Sequence, residues 1–114
     1  MEAIDYQQIA FQLILAAGNA KSLSFKAIQE AKMGKFDEAS ISVENAEEEL
    51  TAAHGSQFQL IQREANGGEN SISVLLIHAQ DHFMDASLMK DLAKEFIEMY
   101  VRMSKYEDAL AKTF

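Results

Sequence analysis

A chain of 114 residues with no proline and only five glycines has little to interrupt a helix over long stretches. Its apolar residues recur at steps of three and four rather than two, so helices are the expected elements and strands are not. Two short interruptions divide the pattern. Met33-Gly34-Lys35 is the first, and Gly34 suits the left-handed residue that closes a helix. Asn66-Gly67-Gly68-Glu69-Asn70-Ser71 is the second, ending in two residue types that cap helix starts.

Within each segment one seam carries the burial. Ala10, Leu13, Ala17, Ala20, Ser24, Ala27 and Ala31 form it in the first, and Phe36, Ala39, Val43, Ala46, Leu50, Ala53, Gln57 and Leu60 in the second. Small residues around Ala16, Ala17, Gly18 and Ala20 favour a close helix–helix approach, with Gly18 read as a contact point. Short connections make neighbouring helices antiparallel. The expected fold is therefore all-α, a single domain over residues 1–114 built as an up-down-up three-helix bundle.

The third segment has more apolar surface than that bundle can use. At about 100° per residue, Ile72, Leu76, Ala79, Phe83, Ala86, Ala93 and Ile97 make one stripe, and Val74, Asp81, Asp85, Leu88, Leu92 and Met99 a second. Gln80, Asp91, Lys94 and Glu98 mark the solvent face. The second stripe calls for another helix, most economically the same helix of another subunit. Val74, Asp81 and Leu88 are spaced by sevens, which puts Asp81 in the core of a coiled-coil-like seam. A buried carboxylate costs several kcal/mol unless paired. Three copies meeting at a trimer axis would be relieved by a hard cation such as Mg2+. Two copies in a dimer could share a proton, and a carboxylate turned sideways would simply meet water.

His78 and His82 stand one turn apart between the two stripes, at the rim of the expected subunit contact. Three chemistries fit such a pair: a zinc site completed by Asp81 or Asp85, a covalent phosphoryl carrier, or two hydrogen-bonded residues with no chemistry. His54, in TAAHGSQF, has no such company and reads as a partly exposed helix residue. Composition narrows the choice of partners. Ten basic against eighteen acidic residues give a net charge of −8, which disfavours nucleic acid. The absence of cysteine removes disulfides, thiolate metal sites and thiol nucleophiles. No apolar run is long enough for a bilayer, and MEAIDYQQ lacks the basic start of a signal peptide, so a soluble cytoplasmic protein is expected.

The stretch HAQDHFMDASLMKDLAKEFIEMY, residues 78 to 100, resembles the signature of the lactose/cellobiose-type enzyme IIA of the bacterial phosphoenolpyruvate-dependent sugar phosphotransferase system. AGNAKSLSFKAIQEAKMGKFDEA and AEEELTAAHGSQFQLIQREANG extend the likeness over nearly the whole chain. The resemblance implies a homotrimer of three-helix subunits with a metal ion, Mg2+ or another hard divalent cation, held on the axis by Asp81 of each subunit. It implies that His78 accepts a phosphoryl group on Nε2 from the carrier HPr and passes it to a cysteine of the IIB component. His82 and Gln80 would then support the site, with apolar walls expected from Leu75, Met84 or Met89. Asp85 departs from the small or hydroxyl residue more usual at its position. The transported sugar would be a β-linked disaccharide of the lactose, cellobiose or chitobiose type. The rival expectations are a trimeric helical adaptor without chemistry and a zinc-binding module using His78 and His82.

Overall fold

The computed structural model describes residues 4–113 and contains three helices, α1 (Tyr6–Lys32), α2 (Phe36–Ala65) and α3 (Val74–Thr113). They form the expected up-down-up bundle, 70 Å long and about 22 Å across. The length comes from α3: 40 residues reach about 60 Å at the helical rise. The last residues of α3 extend past both partners and are exposed.

Both turns close their helices in the same way. Gly34 and Gly67 adopt φ of 77° and 87°, a conformation that any Cβ would strain. Around them the Gly34 N–H bonds to Ala31 O and the Lys35 N–H to Glu30 O, and Gly67 and Gly68 repeat the pattern with Glu64 O and Arg63 O. This is the Schellman arrangement, which satisfies carbonyls that the helix end leaves free. The starts of α1 and α3 are capped by Asp5, whose carboxylate accepts from the Gln8 N–H, and by Ser73, whose hydroxyl accepts from the Leu76 N–H.

Ser73, not Asn70 or Ser71, therefore begins α3. Asn70 is occupied otherwise: its amide donates to Leu60 O at 2.8 Å and its carbonyl accepts from the Tyr6 hydroxyl at 3.0 Å. It ties the second turn to the ends of α1 and α2. Ile72 consequently lies in the turn, 69% exposed, rather than in the core stripe expected of it.

The α1 and α2 seams pack as expected, with only Phe36 half-buried rather than buried. Leu13, Leu50, Leu60, Leu76 and Phe83 supply the bulk of the core, and alanines from all three helices let the backbones approach. Gly18 is not one of the contact points. It faces outward, and a Cβ placed there would meet nothing within 4 Å. A second, smaller cluster of Ala27, Ala31, Ala39, Val43 and Ala93 closes the end near the first turn.

The two stripes of α3 separate cleanly. Leu76, Ala79, Phe83, Ala86 and Ala93 are buried, with Ile97 half-buried, whereas Val74, Leu88, Leu92 and Met99 are exposed on the single chain. The exposed stripe continues beyond Met99 through Met103, Tyr106 and Leu110, at alternating steps of four and three. No helix among the described residues is long and apolar enough to cross a membrane.

Candidate functional site

His78 and His82 come from the second and third turns of α3, on the side that faces α1. A spacing of four residues sets their rings one above the other. The centroids are 4.3 Å apart with an interplanar angle of 78°, and the two Nε2 atoms lie at 2.9 Å, a hydrogen-bond distance. His78 is exposed, while His82 is half-buried and meets α1. There, Lys21 Nζ lies 3.0 Å from His82 Nδ1. Three side chains thus form one hydrogen-bonded line from α1 to the bundle surface: Lys21, His82, His78.

Lys21 was not among the expected residues. It lies 61 positions before His82, and no spacing within either helix connects the two. Its half-burial in an otherwise alanine-rich seam is the only local sign of a role.

The remaining expected residues fall in different places. Asp81 is exposed, on the stripe that also carries Val74 and Leu88. Asp85 is exposed too, seven residues from His78 and so on nearly the same face. Gln80 is neither on the solvent face nor beside the histidines of its own chain. It is half-buried and lines a groove between α2 and α3 with Leu60, Ile61, Asn70 and Ile77, because two residues along a helix rotate it about 200° from His78. Met84 is also turned toward α2, where its sulfur accepts from the Gln57 side-chain amide at 3.4 Å. It forms no wall for His78. Leu75 and Met89 are half-buried and remain on the histidine side by helical phase.

Asp91, Lys94 and Glu98 are exposed as expected, and the first two belong to a charge cluster on that face. Lys94 pairs with Glu47 of α2, and Lys90 lies 3.6 Å from the same carboxylate and 2.6 Å from Asp91. The Lys94 hydrogen bond holds the Glu47 carboxyl below its ordinary range, and the same bond raises Lys94. His54 stacks on Phe58 at 6.2 Å, away from the paired histidines.

The donor set limits what metal chemistry one chain can support. No group of three or more histidine, cysteine, aspartate or glutamate side chains is arranged to hold an ion among the described residues. A zinc ion at His78 and His82 would lack the third protein ligand that catalytic zinc sites use. Asp81 offers a hard oxygen donor, which suits Mg2+, but supplies one ligand where such an ion takes six.

What the line of Lys21, His82 and His78 can offer is an exposed imidazole nitrogen whose neighbour is held by a cation. Comparison with known proteins identifies the family. Residues 8–101 match the family model described as the PTS system, Lactose/Cellobiose specific IIA subunit. The chain is 43% identical over 105 residues to the lichenan-specific phosphotransferase enzyme IIA component of Bacillus subtilis, covering 92% of this chain and 96% of that one. Its fold superposes on the crystal structure of the cellobiose-specific enzyme IIA from Bacillus anthracis with a TM-score of 0.83 and 48% identity, over 91% and 95% of the two chains. The chitobiose IIA solved in complex with HPr from Escherichia coli gives a TM-score of 0.75 at 32% identity, over 90% and 99%. The chain belongs to the lactose/cellobiose-specific family of IIA components of the phosphotransferase system.

Proposed function

We propose that this IIA component carries a phosphoryl group on His78 Nε2, taking it from phosphorylated HPr and giving it to a cysteine of a IIB component. The observation that carries the reading is the exposed His78 ring with a second imidazole nitrogen 2.9 Å from its Nε2. The solved complex of the E. coli chitobiose IIA with HPr supports HPr as the donor.

The transfer is in-line. The Nε2 lone pair attacks phosphorus, the N–P bond of the donor phosphohistidine breaks, and its electron pair returns to the donor nitrogen. No proton need move, since each ring keeps the hydrogen on its second nitrogen. His82 then donates to a phosphoryl oxygen rather than to the bare Nε2, offsetting charge where it arrives. In the second transfer a thiolate of IIB attacks the same phosphorus and His78 regains its lone pair. Two rigid helices fix the ring for both approaches. Leu75, three residues before His78 on nearly the same face, limits water, whose attack would discharge the carrier.

Assembly follows from the unpartnered stripe of α3. Val74, Leu88, Leu92, Met99, Met103 and Leu110 at coiled-coil spacing are best covered by the same helix of two further subunits, giving a homotrimer. Asp81 would then meet its copies near the axis. Its oxygen fits a hard divalent cation such as Mg2+, with the remaining ligands from the other copies and water. Such an ion would offset the repulsion among the carboxylates. We place the protein in the cytoplasm, where a carrier between HPr and IIB has to work, and assign the sugar to the β-linked class named for relatives such as those for lichenan and cellobiose.

Incubation with phosphoenolpyruvate, enzyme I and HPr tests the reading. One phosphate per chain should appear, survive base, be lost in acid, and be absent from His78→Ala. Transfer to the IIB thiol should follow when that component is added. Phosphate retained by His78→Ala at the wild-type level would refute the assignment. Co-purifying zinc, lost on mutating either histidine, would favour a binding module instead.

A further inference from the structure

We infer that Lys21 is a positioning residue that fixes the tautomer of His82 and, through it, leaves the Nε2 lone pair of His78 free of a proton. The inference rests on the phosphoryl-carrier reading and adds to it a residue on another helix. An ammonium group can only donate, so the 3.0 Å contact from Lys21 Nζ requires a bare, accepting Nδ1 on His82. A neutral imidazole with bare Nδ1 carries its hydrogen on Nε2. That N–H points at His78 Nε2, 2.9 Å away, which must be the acceptor. The hydrogen of His78 is then on Nδ1. One donor on α1 thereby sets the proton positions on two rings of α3.

Lys21 suits this role in other respects. It is half-buried, and it makes no ion pair with a carboxylate among the described residues, so the imidazole is its partner. A hydrogen on Nδ1 of His82 would clash with the ammonium, which excludes the other tautomer. The positive charge also stands directly behind the ring that receives the phosphoryl oxygens. A swapped tautomer would aim a lone pair of His82 at the incoming phosphate, opposing transfer rather than assisting it.

The test uses the full chain and two variants, Lys21→Met, which keeps length without a donor, and Lys21→Arg, which restores one. In ¹⁵N spectra of the histidine rings, wild-type His82 should show a protonated Nε2 and a bare Nδ1, and Lys21→Met a mixture of tautomers. The rate of phosphate acceptance from phospho-HPr should fall by about tenfold or more in Lys21→Met, as when a ligand-orienting partner is removed elsewhere, and largely recover in Lys21→Arg. An unchanged His82 tautomer in Lys21→Met, or an unchanged rate, would overturn the inference. If wild-type protein accepts no phosphate from HPr, the carrier reading fails, and the ring spectra still decide the role of Lys21.

Discussion

His82 Nε2 lies 2.9 Å from His78 Nε2, with the two rings nearly perpendicular at 78°. The geometry gives His82 a donor's role toward whatever His78 carries. His82→Ala should therefore accept phosphate from phospho-HPr about 100-fold more slowly than wild type, the usual loss when one donor to a developing anion is removed. His82→Gln keeps an N–H near the same position and should fall between the two. Rates of label transfer at fixed HPr concentration measure both.

Asp81→Leu joins Val74 and Leu88 into an uninterrupted apolar stripe. In the proposed trimer this replaces converging carboxylates with leucine, so the assembly should be preserved and its stability raised by about 1–4 kcal/mol. With the proposed axial ion in place, a chelator should lower the melting temperature of wild type and leave the variant unaffected. Sedimentation and thermal unfolding at one protein concentration check both outcomes. A monomeric variant would contradict the axial position.

Phe83, 2% exposed, is the bulkiest side chain in a core otherwise filled largely by alanine and leucine. Its truncation to alanine should cost about 3–5 kcal/mol. Ala20, fully buried at the close approach of the helices, should resist enlargement, with Ala20→Leu losing about 1–3 kcal/mol through overpacking. Urea midpoints at matched protein concentration report these losses.

Glu47 and Lys94 predict a weak pH dependence. The hydrogen bond from Lys94 depresses the Glu47 carboxyl below its ordinary value of 4.5, so the contribution of the pair is present above that value and is lost as pH falls through the lowered one. Lys94 is raised above 10.5, so on the alkaline side the contribution persists below that value and disappears as pH rises through the raised one. Both groups are open to solvent, which keeps the effect under about 1 kcal/mol. Lys94→Met should be slightly less stable than wild type near neutrality and equal to it once the pH has fallen through the lowered carboxyl value. High salt should narrow the neutral difference too.

Periodicity reveals what lies within one helix and little of what passes between helices. The seams of α1 and α2, the left-handed Gly34 and the two-sided character of α3 were all readable from residue spacing, since burial repeats with the helical turn. Ile72 misled because its apolar side chain continued the stripe, while the cap that starts the helix is Ser73, one residue later. Gly18 misled because a missing side chain suggests close packing only if the residue faces a neighbour. Gln80 was assigned to water by the angle from His78, yet α2 approaches that side and half-covers it, whereas Lys94, assigned likewise, is exposed and pairs with Glu47 at the surface. The site shows the same division. Two histidines at a four-residue spacing were visible in the chain, but the Lys21 contact spans 61 residues and depends on how α1 crosses α3.

The most direct measurement of the carrier role is a ³¹P–¹⁵N correlation on ¹⁵N-labelled protein phosphorylated through HPr. Phosphorus coupled to Nε2 of His78, with no signal from His82 or His54, is the predicted result. Coupling to another nitrogen, or phosphate on an oxygen, would contradict it.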